Sequence, residues 1–380
     1  MKSKHLFRLA AGLIGWSAVG YPLALQVASR LRQPGELPQG AESEDDDLPT
    51  VALIVPAYAE AEVIADKVAN ALALDYPREK LQVVVACDGS PDDTAGRARQ
   101  AGADLVLELP RGGKVVAQDT AVAVTEADVV AFSDANSEWE PDALRRLVAP
   151  LIADAAVGYV CGRVQFVNPD GGSNQEGRYW QYEMAIRERE SELCSVTAGN
   201  GAIYAVRREA YVCVDPVMGH DLKLPFTLVR DGWLALEAPD ARATERMVPS
   251  VEGEAARKRR MMSHAWAIVL RGELLDPRGW PPVYTAMMVS HRWLRYATPL
   301  LHIVALVFAP RRWKLLQLAG LAAAMSTRPL PFPGMRVLRY YALMQRSTLL
   351  GLVDHLRSGT EAGWAPPEGT RVGSGTAVED

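Results

Sequence analysis

Two oxygen-bearing side chains, Asp134 and Asn136, follow directly after a short apolar stretch of the sequence. Residues 129–132 are apolar and partly β-branched, which is typical of a buried strand. Ligands of open α/β sheets bind beyond the carboxyl ends of the strands, and carboxylate and amide oxygens suit a hard divalent cation. We therefore predict that Asp134, together with Asn136, holds Mg²⁺ or Mn²⁺ against a nucleoside diphosphate. The alternative is a simple turn, in which Asp and Asn are common.

Further candidate groups stand at comparable places in the chain. From residue 50 to residue 134 strands alternate with helices, a pattern that predicts βαβ units and a mainly parallel sheet covered on both faces. Asp88, followed by Gly89, should then lie at the same sheet edge as Asp134. Lys114 follows two glycines, and a point positive charge on a glycine-rich loop suits a phosphate. A solvated lysine is the alternative.

The composition limits the classes of protein to be considered. The chain has 380 residues, enough for one large or two medium domains. Its net charge of −5 argues against a nucleic-acid-binding protein, which would carry a basic face. The four cysteines, Cys87, Cys161, Cys194 and Cys213, are scattered without a CxxC pair, so we expect neither a zinc site nor a dense disulfide framework.

Apolar segments near both ends of the chain predict contact with a membrane. Residues 9–28 carry no charge, and their length suits a membrane-spanning helix; a signal peptide and an interfacial helix are the alternatives. Residues 297–310 and 315–326 are apolar but short, so they predict a membrane hairpin, two tight spans or buried core helices. The predicted organisation is a transmembrane or interfacial helix at 1–33, an acidic linker at 34–49, an α/β domain at 50–275, interfacial and transmembrane helices at 276–357 and a flexible tail at 358–380.

Seven segments, in a fixed order between residue 51 and about residue 270, together resemble one known family. They are IVPAYAEAEVI, VVVACDGSPDDT, PRGGKVVAQDTA, VVAFSDANSEWEPDAL, SVTAGNGAIYAVRRE, GHDLKLPFTLVRDGW and EAARKRRMM. The chain is similar to the membrane-associated family 2 glycosyltransferases with the GT-A fold, and it looks closest to the branch of the cellulose, chitin and hyaluronan synthases. The resemblance implies an α/β, Rossmann-like domain that binds a nucleotide-sugar.

The resemblance also implies roles for individual residues on the donor side. Asp134 matches the first Asp of the DxD metal motif, with Asn136 where a second Asp is usual, and Asp88 matches the carboxylate that reads uridine. The segment containing Arg260 matches the basic part that faces the diphosphate, although Met261 stands where the synthases have Trp. The implied nucleotide-sugar contacts are Pro56, Tyr58, Glu60, Asp88, Lys114, Asp134, Arg257 and Arg260.

Several of these assignments have structural alternatives. The family usually has Asn where this chain has Ala59, and Glu60 could simply favour the N-terminus of a helix. Asp88 could serve a turn alone. The basic segment containing Arg257 could contact lipid headgroups instead of a diphosphate.

The catalytic and acceptor assignments come from the same resemblance. Asp221 matches the family's catalytic Asp, and His220 stands where Glu is common. In an inverting transfer such a carboxylate takes the proton of the acceptor hydroxyl. A helix N-cap is the alternative for Asp221, and a surface position is the alternative for His220. The implied acceptor-site residues are Trp180, Gly199, Asn200 and His220, with core packing as the alternative for Trp180.

These observations predict an inverting, metal-dependent glycosyltransferase. We expect a UDP-linked sugar as the donor, a lipid-linked or polysaccharide acceptor, membrane lipids as neighbours, and a catalytic domain on the cytoplasmic face of the cell membrane. A homo-oligomer or a partner membrane subunit is compatible with the sequence. The alternatives are a processive polysaccharide synthase that exports its chain, and an inactive nucleotide-binding scaffold.

Overall fold

The computed structural model describes residues 2–31, 44–167, 175–246, 251–325 and 335–363. Its strands are β1 (Val51–Ala57), β2 (Leu81–Asp88), β3 (Leu105–Leu109), β4 (Val129–Ser133), β5 (Glu138–Trp139), β6 (Val157–Val167), β7 (Ile203–Arg207) and β8 (Leu234–Arg246). Its helices are α1 (Lys2–Gly15), α2 (Tyr21–Leu31), α3 (Ile64–Leu72), α4 (Thr94–Gln100), α5 (Lys114–Ala123), α6 (Ala143–Ala153), α7 (Gln175–Leu193), α8 (His220–Arg230), α9 (Val251–Arg271), α10 (Pro282–Met287), α11 (Leu294–Phe308), α12 (Arg311–Met325) and α13 (Met335–Ser358). Turns of π-helix at Trp16–Gly20 and Met288–Trp293 join α1 to α2 and α10 to α11.

The strands form one sheet in the order β3-β2-β1-β4-β7-β6-β8-β5. The first four strands in this order are parallel, as the alternating pattern predicts. Strand β7 runs antiparallel to both β4 and β6, and β8 returns parallel to β6. The predicted α/β fold is therefore confirmed, and its second half is a mixed sheet.

The strand register brings the candidate residues to one edge. Ala57 pairs with Cys87 between β1 and β2, and Ile54 pairs with Phe132 between β1 and β4. The loops that follow β1, β2 and β4 therefore leave the sheet side by side. Because parallel strands deliver their C-terminal loops to one edge, residues far apart in the chain become neighbours there.

Both faces of β1, β2 and β4 are buried, which explains their nearly continuous apolar runs, whereas β3 at the sheet edge is partly exposed. Every residue of β1 is buried. Leu53 belongs to a buried cluster with Leu144 and Leu147 of α6, while Ile54 belongs to a cluster on the other face with Ala121 of α5. The sheet is thus fixed between two layers of helices, and its edge is a rigid support for the loops.

The first helices of the chain are apolar and largely exposed. Among the described residues, the segment Ser3–Leu31 is the one helix long and apolar enough to cross a membrane. It packs against α11 through α1. Helices α11 and α12 have 15 residues each, about 22 Å at 1.5 Å per residue, which is shorter than a full span. The large exposed apolar side chains of these helices include Leu9, Val19, Val27, Ile303, Val307, Leu315 and Leu316.

The predicted linker and tail lie partly outside the described residues. Residues 34–43 and 364–380 are not described. The described end of the acidic run, Asp45–Asp47, forms a short 3₁₀ turn whose carbonyl groups accept hydrogen bonds from Lys80. This part of the predicted linker is therefore held against the domain. Helix α13 ends at Ser358, and the chain then returns to the sheet edge.

Candidate functional site

A cavity of about 450 Å³ lies at the C-terminal edge of β4. Loops from the sheet and residues of α5, α7, α8, α9 and α11 surround it. The predicted site residues that line it are Glu60, Lys114, Asp134, Asn136, Gly199, Asn200, His220, Asp221, Arg257 and Arg260. The structure therefore brings ten of the predicted residues to one cavity. Pro56, Tyr58 and Asp88 lie outside its lining, and the side chain of Trp180 is outside the described part of the chain.

Asp134 and Asn136 occupy a tight turn directly after β4. The N–H of Ser137 donates to the Asp134 carbonyl oxygen at 3.1 Å. This turn directs the Asp134 carboxylate and the Asn136 amide to the cavity, with Ala135 buried between them. Both the metal reading and the turn reading of this segment fit its backbone. The pair offers oxygen ligands of the type that Mg²⁺ and Mn²⁺ prefer.

Lys114 is the first residue of α5 and forms an ion pair with Asp134. Gly113 precedes it with a φ of 99°, a conformation that favours glycine. Burial opposes the charge of Lys114, but the Asp134 and Asp221 carboxylates outweigh it and raise the pKa of this lysine. Lys114 is therefore a charged group within the cavity rather than a solvated lysine.

Asp221 is the second residue of α8, and Gly219 occupies the N-cap position. The N-cap alternative for Asp221 is therefore wrong. A methyl group built on Gly201 would lie 3.7 Å from Asp221 Cβ and 3.8 Å from Lys114 Nζ. The carboxylate that the resemblance assigns to catalysis and the lysine paired with Asp134 therefore approach each other across Gly201.

The loop containing Gly199 and Asn200 forms the floor between these groups. The N–H of Gly199 donates to the Asp221 carbonyl oxygen at 2.6 Å. A methyl group on Gly199 would lie only 1.8 Å from the Tyr159 hydroxyl oxygen, so this position requires glycine. Asn200 Oδ1 accepts a hydrogen bond from the N–H of Ala202, while its buried Nδ2 has no hydrogen-bond partner among the described residues. The Asn200 amide is thus available to a ligand.

His220 lies beneath the cavity and is only 4% exposed. Its Nδ1 is hydrogen bonded to the Tyr204 hydroxyl at 2.7 Å, and Phe132 packs against the edge of the ring. Burial, with a smaller contribution from Lys114, lowers the pKa of His220 to about 3. The surface alternative for His220 is therefore wrong. A neutral imidazole in this place supports the start of α8, where Asp221 stands.

Asp88 lies behind the loop of residues 111–113 and is 1% exposed. Its carboxylate accepts hydrogen bonds from the N–H groups of Gly112 and Gly113, at 2.6 and 3.0 Å, and pairs with Arg111 at 2.7 Å. The Arg111 guanidinium lies over the Tyr58 ring, 3.3 Å from its centroid. In this arrangement Asp88 fixes the loop that carries Lys114, and its contact with a uridine stays a prediction.

The end of the described chain also reaches this loop. A methyl group on Gly113 would lie 2.3 Å from the Ala362 carbonyl oxygen, and Ala362 lines the cavity. Thr360 Oγ1 donates to the Ser263 carbonyl oxygen at 3.2 Å, which attaches this segment to α9. This segment therefore places Ala362 over the end of the cavity beside Gly113.

Helix α9 contributes the predicted basic residues. Arg257, Lys258 and Arg260 all line the cavity. Burial, with a smaller contribution from Arg257, lowers the pKa of Arg260. A guanidinium matches phosphate oxygens through paired N–H groups, so this helix adds anion-binding groups opposite Asp134.

One buried cation near the site was not identified from the sequence. Lys67 Nζ donates to the Ser137 carbonyl oxygen at 2.7 Å and lies beneath the turn of Asp134. Burial lowers the pKa of Lys67 to about 7. The helical spacing of Ile64, Lys67, Val68 and Ala71 could have revealed it, because that spacing places the lysine on the buried face of α3.

The sequence analysis also missed a second wall of the cavity. Glu183 and Arg187 come from α7, Arg292 comes from the π-turn before α11, and Arg295 comes from α11 itself. Glu183 pairs with Arg295 at 2.6 Å. The amphipathic pattern of α7 predicts an apolar buried face, yet Arg187 and Glu190 are buried. The four-residue spacing of Glu183 and Arg187 was the available signal.

Comparisons with known proteins agree with this geometry. The model of the family "Glycosyltransferase like family 2" matches residues 49–264. Glycosyltransferase AglE of Haloferax volcanii is 31% identical over 134 residues, 34% of this chain and 44% of the relative. Beta-monoglucosyldiacylglycerol synthase of Trichormus variabilis is 26% identical over 242 residues, 59% of this chain and 51% of the relative. The chain thus spans about half the length or less of these curated relatives.

A solved structure matches nearly the whole chain. The mannosyltransferase PcManGT from Pyrobaculum calidifontis, in complex with GDP-Man and Mn²⁺, is 25% identical to this chain. The match covers 93% of this chain and 99% of that chain, with a TM-score of 0.71. This likeness confirms the predicted GT-A architecture.

Proposed function

This chain belongs to the glycosyltransferase-like family 2, and from that premise we propose that it is an inverting, metal-dependent transferase. It moves a sugar from a nucleoside-diphosphate sugar to an acceptor at a membrane. One observation carries the proposal: Asp134, Lys114 and Asp221 line a single cavity, where Lys114 pairs with Asp134 and approaches Asp221 across Gly201. Two carboxylates and a cation at the edge of a parallel sheet can bind a diphosphate and remove a proton.

The donor would lie between the sheet edge and helix α9. Lys114 on one side and Arg257 and Arg260 on the other would contact the diphosphate, since all three line the cavity. The likeness to a mannosyltransferase bound to GDP-Man supports a nucleoside-diphosphate sugar. The proposal includes a contact between Asp88 and a uridine base. Its test therefore compares UDP-linked with GDP-linked donors.

The residues of the turn after β4 fit a divalent cation. The described residues contain no cluster of three His, Cys, Asp or Glu side chains that could hold a metal. Asp134 and Asn136 would therefore share the ion with diphosphate oxygens, an arrangement that Mg²⁺ commonly adopts. When bound, the ion would neutralise the charge of the departing nucleoside diphosphate. Asn136 adds an oxygen ligand without adding charge, and Lys67 holds the backbone of the turn through Ser137.

Asp221 would act as the general base. Its carboxylate takes the proton of the acceptor hydroxyl while that oxygen forms a bond to the anomeric carbon of the donor. The bond from the anomeric carbon to the phosphate oxygen breaks, and the nucleoside diphosphate leaves with the electron pair. Attack opposite to the leaving group inverts the configuration at that carbon. The bond from the Gly199 N–H to the Asp221 carbonyl fixes the start of α8.

The membrane is part of the proposal. The segment Ser3–Leu31 is long and apolar enough to span a bilayer, and α11 packs against it. Because nucleotide-sugars are cytosolic donors, the cavity would open to the cytoplasm. The acceptor would then reach Asp221 from the side of the apolar helices.

The test is a screen of the purified full chain against UDP- and GDP-linked sugars with a detergent-solubilised acceptor mixture. Nucleoside diphosphate release is measured with Mn²⁺ and with a chelator. We expect metal-dependent release from at least one donor, lost by about 10² to 10⁴-fold in Asp221→Asn because the general base is gone. Asp231→Asn, an exposed aspartate at the end of the same helix, is the matched control.

Two outcomes would overturn parts of the proposal. Binding of nucleotide without turnover for every donor would favour the inactive scaffold. Product chains of many sugars from one binding event would favour a processive synthase, a reading that Met261 after Arg260 argues against.

A further inference from the structure

The cavity has a cationic wall that the transfer chemistry described above does not use. We name it the arginine wall and define it as Arg187, Arg292 and Arg295. Arg187 and Arg292 are each 6% exposed. Buried guanidinium groups are costly unless they meet an anion or several acceptors. Among the described residues of α7 and α11, one acidic residue lines the cavity beside these three cations, and it is Glu183.

Arg292 has the greatest capacity for a ligand. Its Nε donates to the Thr197 hydroxyl oxygen at 2.8 Å. Within the described part of the chain, this is the one hydrogen bond that Arg292 makes. Its two terminal amino groups therefore remain for a ligand. The Thr197 hydroxyl donates in turn to Glu190 Oε2 at 2.8 Å, and this fixes the guanidinium in place. A guanidinium held by Nε and open at its other nitrogens suits a planar or tetrahedral oxyanion.

Glu190 does not neutralise Arg292 by direct contact. Its Oε1 accepts from the Tyr21 hydroxyl at 2.5 Å and contacts His291 Nδ1 at 2.7 Å. Its Oε2 accepts from the N–H and the hydroxyl of Thr197. The carboxylate is therefore engaged by neighbours on α2, the π-turn and the loop, and none of the bonds described for it reaches Arg292 directly.

The location of the wall identifies the side from which its ligand comes. Thr197 is two residues before Gly199, so the arginine wall adjoins the loop that is expected to receive the acceptor. Arg295 stands at the start of α11, and Arg292 lies in the π-turn just before it. Exposed apolar residues follow along α11 at Leu300, Ile303 and Val307. An anion bound here could extend an apolar chain along that helix.

We propose that the arginine wall binds the phosphate of a lipid-linked acceptor, with the lipid chain lying along α11. The inference rests on the proposed function, because it takes the cavity as the site of transfer. A phosphate group is favoured over a carboxylate because its oxygens can meet the open nitrogens of Arg292 and also reach Arg295, which is paired with Glu183 as well. Donor and acceptor phosphates would then occupy opposite walls of one cavity, with Asp221 between them.

The test compares binding of farnesyl phosphate and farnesol, which differ only in the phosphate. Radiolabelled ligand is equilibrated with the full chain in nanodiscs, with nucleoside diphosphate and Mn²⁺ present to fill the donor side. We expect farnesyl phosphate to bind at least about tenfold more tightly, because a charge-assisted pair of hydrogen bonds is added. Inorganic phosphate and glycerol phosphate are run as competitors without a lipid chain.

Variants separate the arginine wall from general effects of charge. Arg292→Gln should remove most of the preference for farnesyl phosphate, and Arg292→Lys should restore part of it, since the charge returns without the fork. Arg311→Gln, on an exposed part of α12, is the matched control and should keep the preference. The affinity for nucleoside diphosphate should change by less than about threefold in all three, because that ligand lies on the opposite wall.

The outcomes are distinct from those of the donor screen, since binding needs no turnover. Equal affinity for farnesyl phosphate and farnesol, or equal losses in Arg292→Gln and Arg311→Gln, would overturn the phosphate assignment. Competition by glycerol phosphate at the same concentration as farnesyl phosphate would overturn the lipid source alone. A clear preference with no donor turnover would support the arginine wall and contradict the proposed transfer.

Discussion

The two walls of the cavity are built in different ways. On the donor wall, Asp134 follows the fully buried strand β4 and Lys114 begins α5, and the ion pair between them lies within the α/β domain. On the arginine wall, Arg292 depends on Thr197 and Glu190, and Glu190 accepts a hydrogen bond from Tyr21 of the first apolar helix. The donor wall is therefore rigid by itself, whereas the arginine wall is completed by helices that we assign to the membrane.

The largest expected effect is confined to the donor wall. Asp134→Ala removes the carboxylate that pairs with Lys114 and that we assign to the cation. We expect transfer to fall by about a hundredfold or more, because a preorganised charge at the leaving group is lost. Farnesyl phosphate binding should change by less than about twofold. The loss of transfer is measured as initial rates across a Mn²⁺ series, with Asp231→Ala as the control. Equal weakening of nucleoside diphosphate and farnesyl phosphate binding would contradict the separation of the walls.

A second prediction concerns the acid sensitivity of the fold around His220, beneath the cavity. The pKa of His220 is lowered by burial to about 3 in the folded chain, against 6.5 for an exposed imidazole. Between these values the unfolded chain binds one more proton, so acidification favours unfolding. We expect the free energy of unfolding to fall by about 1.4 kcal/mol per pH unit below pH 6.5 through this group, and no such contribution above it.

The measurement is thermal or urea unfolding of the full chain at pH 7, 6, 5 and 4. His220→Gln keeps a hydrogen-bonding side chain beside Tyr204 and cannot gain a proton, so its stability should decline less steeply. His5→Gln, near the exposed start of α1, is the control. Parallel curves for His220→Gln and the unmodified chain would show that this histidine is not the acid-sensitive group.

A smaller effect should appear on the arginine wall and leave the donor wall unchanged. Tyr21→Phe removes the hydrogen bond to the buried Glu190 carboxylate, and such bonds to charged groups are worth about 2 kcal/mol. We expect weaker binding of farnesyl phosphate, by about tenfold, and unchanged affinity for nucleoside diphosphate. Tyr182→Phe, whose exposed hydroxyl donates to the Ala18 carbonyl oxygen, is a matched control with little expected effect. Loss of nucleotide affinity in Tyr21→Phe would mean that the donor wall also depends on this helix.

The smallest expected effect concerns the metal alone. Asn136→Asp adds a second carboxylate to the turn after β4, and ligand charge tunes the affinity for hard cations. The Mn²⁺ concentration for half-maximal transfer should fall by about threefold to tenfold. Asn136→Ala, which removes the oxygen ligand, should raise it. A Mn²⁺ titration in which the two variants move together would exclude Asn136 from the metal site.

The same difference between the walls explains what the sequence could predict. Asp134 follows a strand, Lys114 follows a pair of glycines, and Asp221 stands in the segment GHDL. Local pattern and the family resemblance therefore identify all three. Parallel strands then bring their loops to one edge without further information. The α/β fold and most of the donor wall follow from such signals.

The arginine wall could not be predicted in this way. Arg187 and Arg292 are about a hundred residues apart, and each stands in a helix whose pattern resembles an ordinary amphipathic or interfacial segment. The π-turn at Met288–Trp293 changes the helical phase, and it turns His291 and Arg292 inward. A hydrophobic pattern with the 3.6-residue period of an α-helix does not predict such a π-turn. The sequence placed Asp88 at the sheet edge but did not predict its hydrogen bonds to Gly112 and Gly113, because those depend on how the loop folds.

The segment that returns from α13 offers a spectroscopic use. Ala362 rests on Gly113 and lines the donor end of the cavity, while the neighbouring Glu361 is exposed. A ligand that fills this end must contact or displace Ala362. A dye attached through Glu361→Cys, after Cys213→Ser removes the exposed native thiol, would therefore change its emission when a donor enters. Donor occupancy could then be followed in real time without altering Lys114, Asp134 or Asp221.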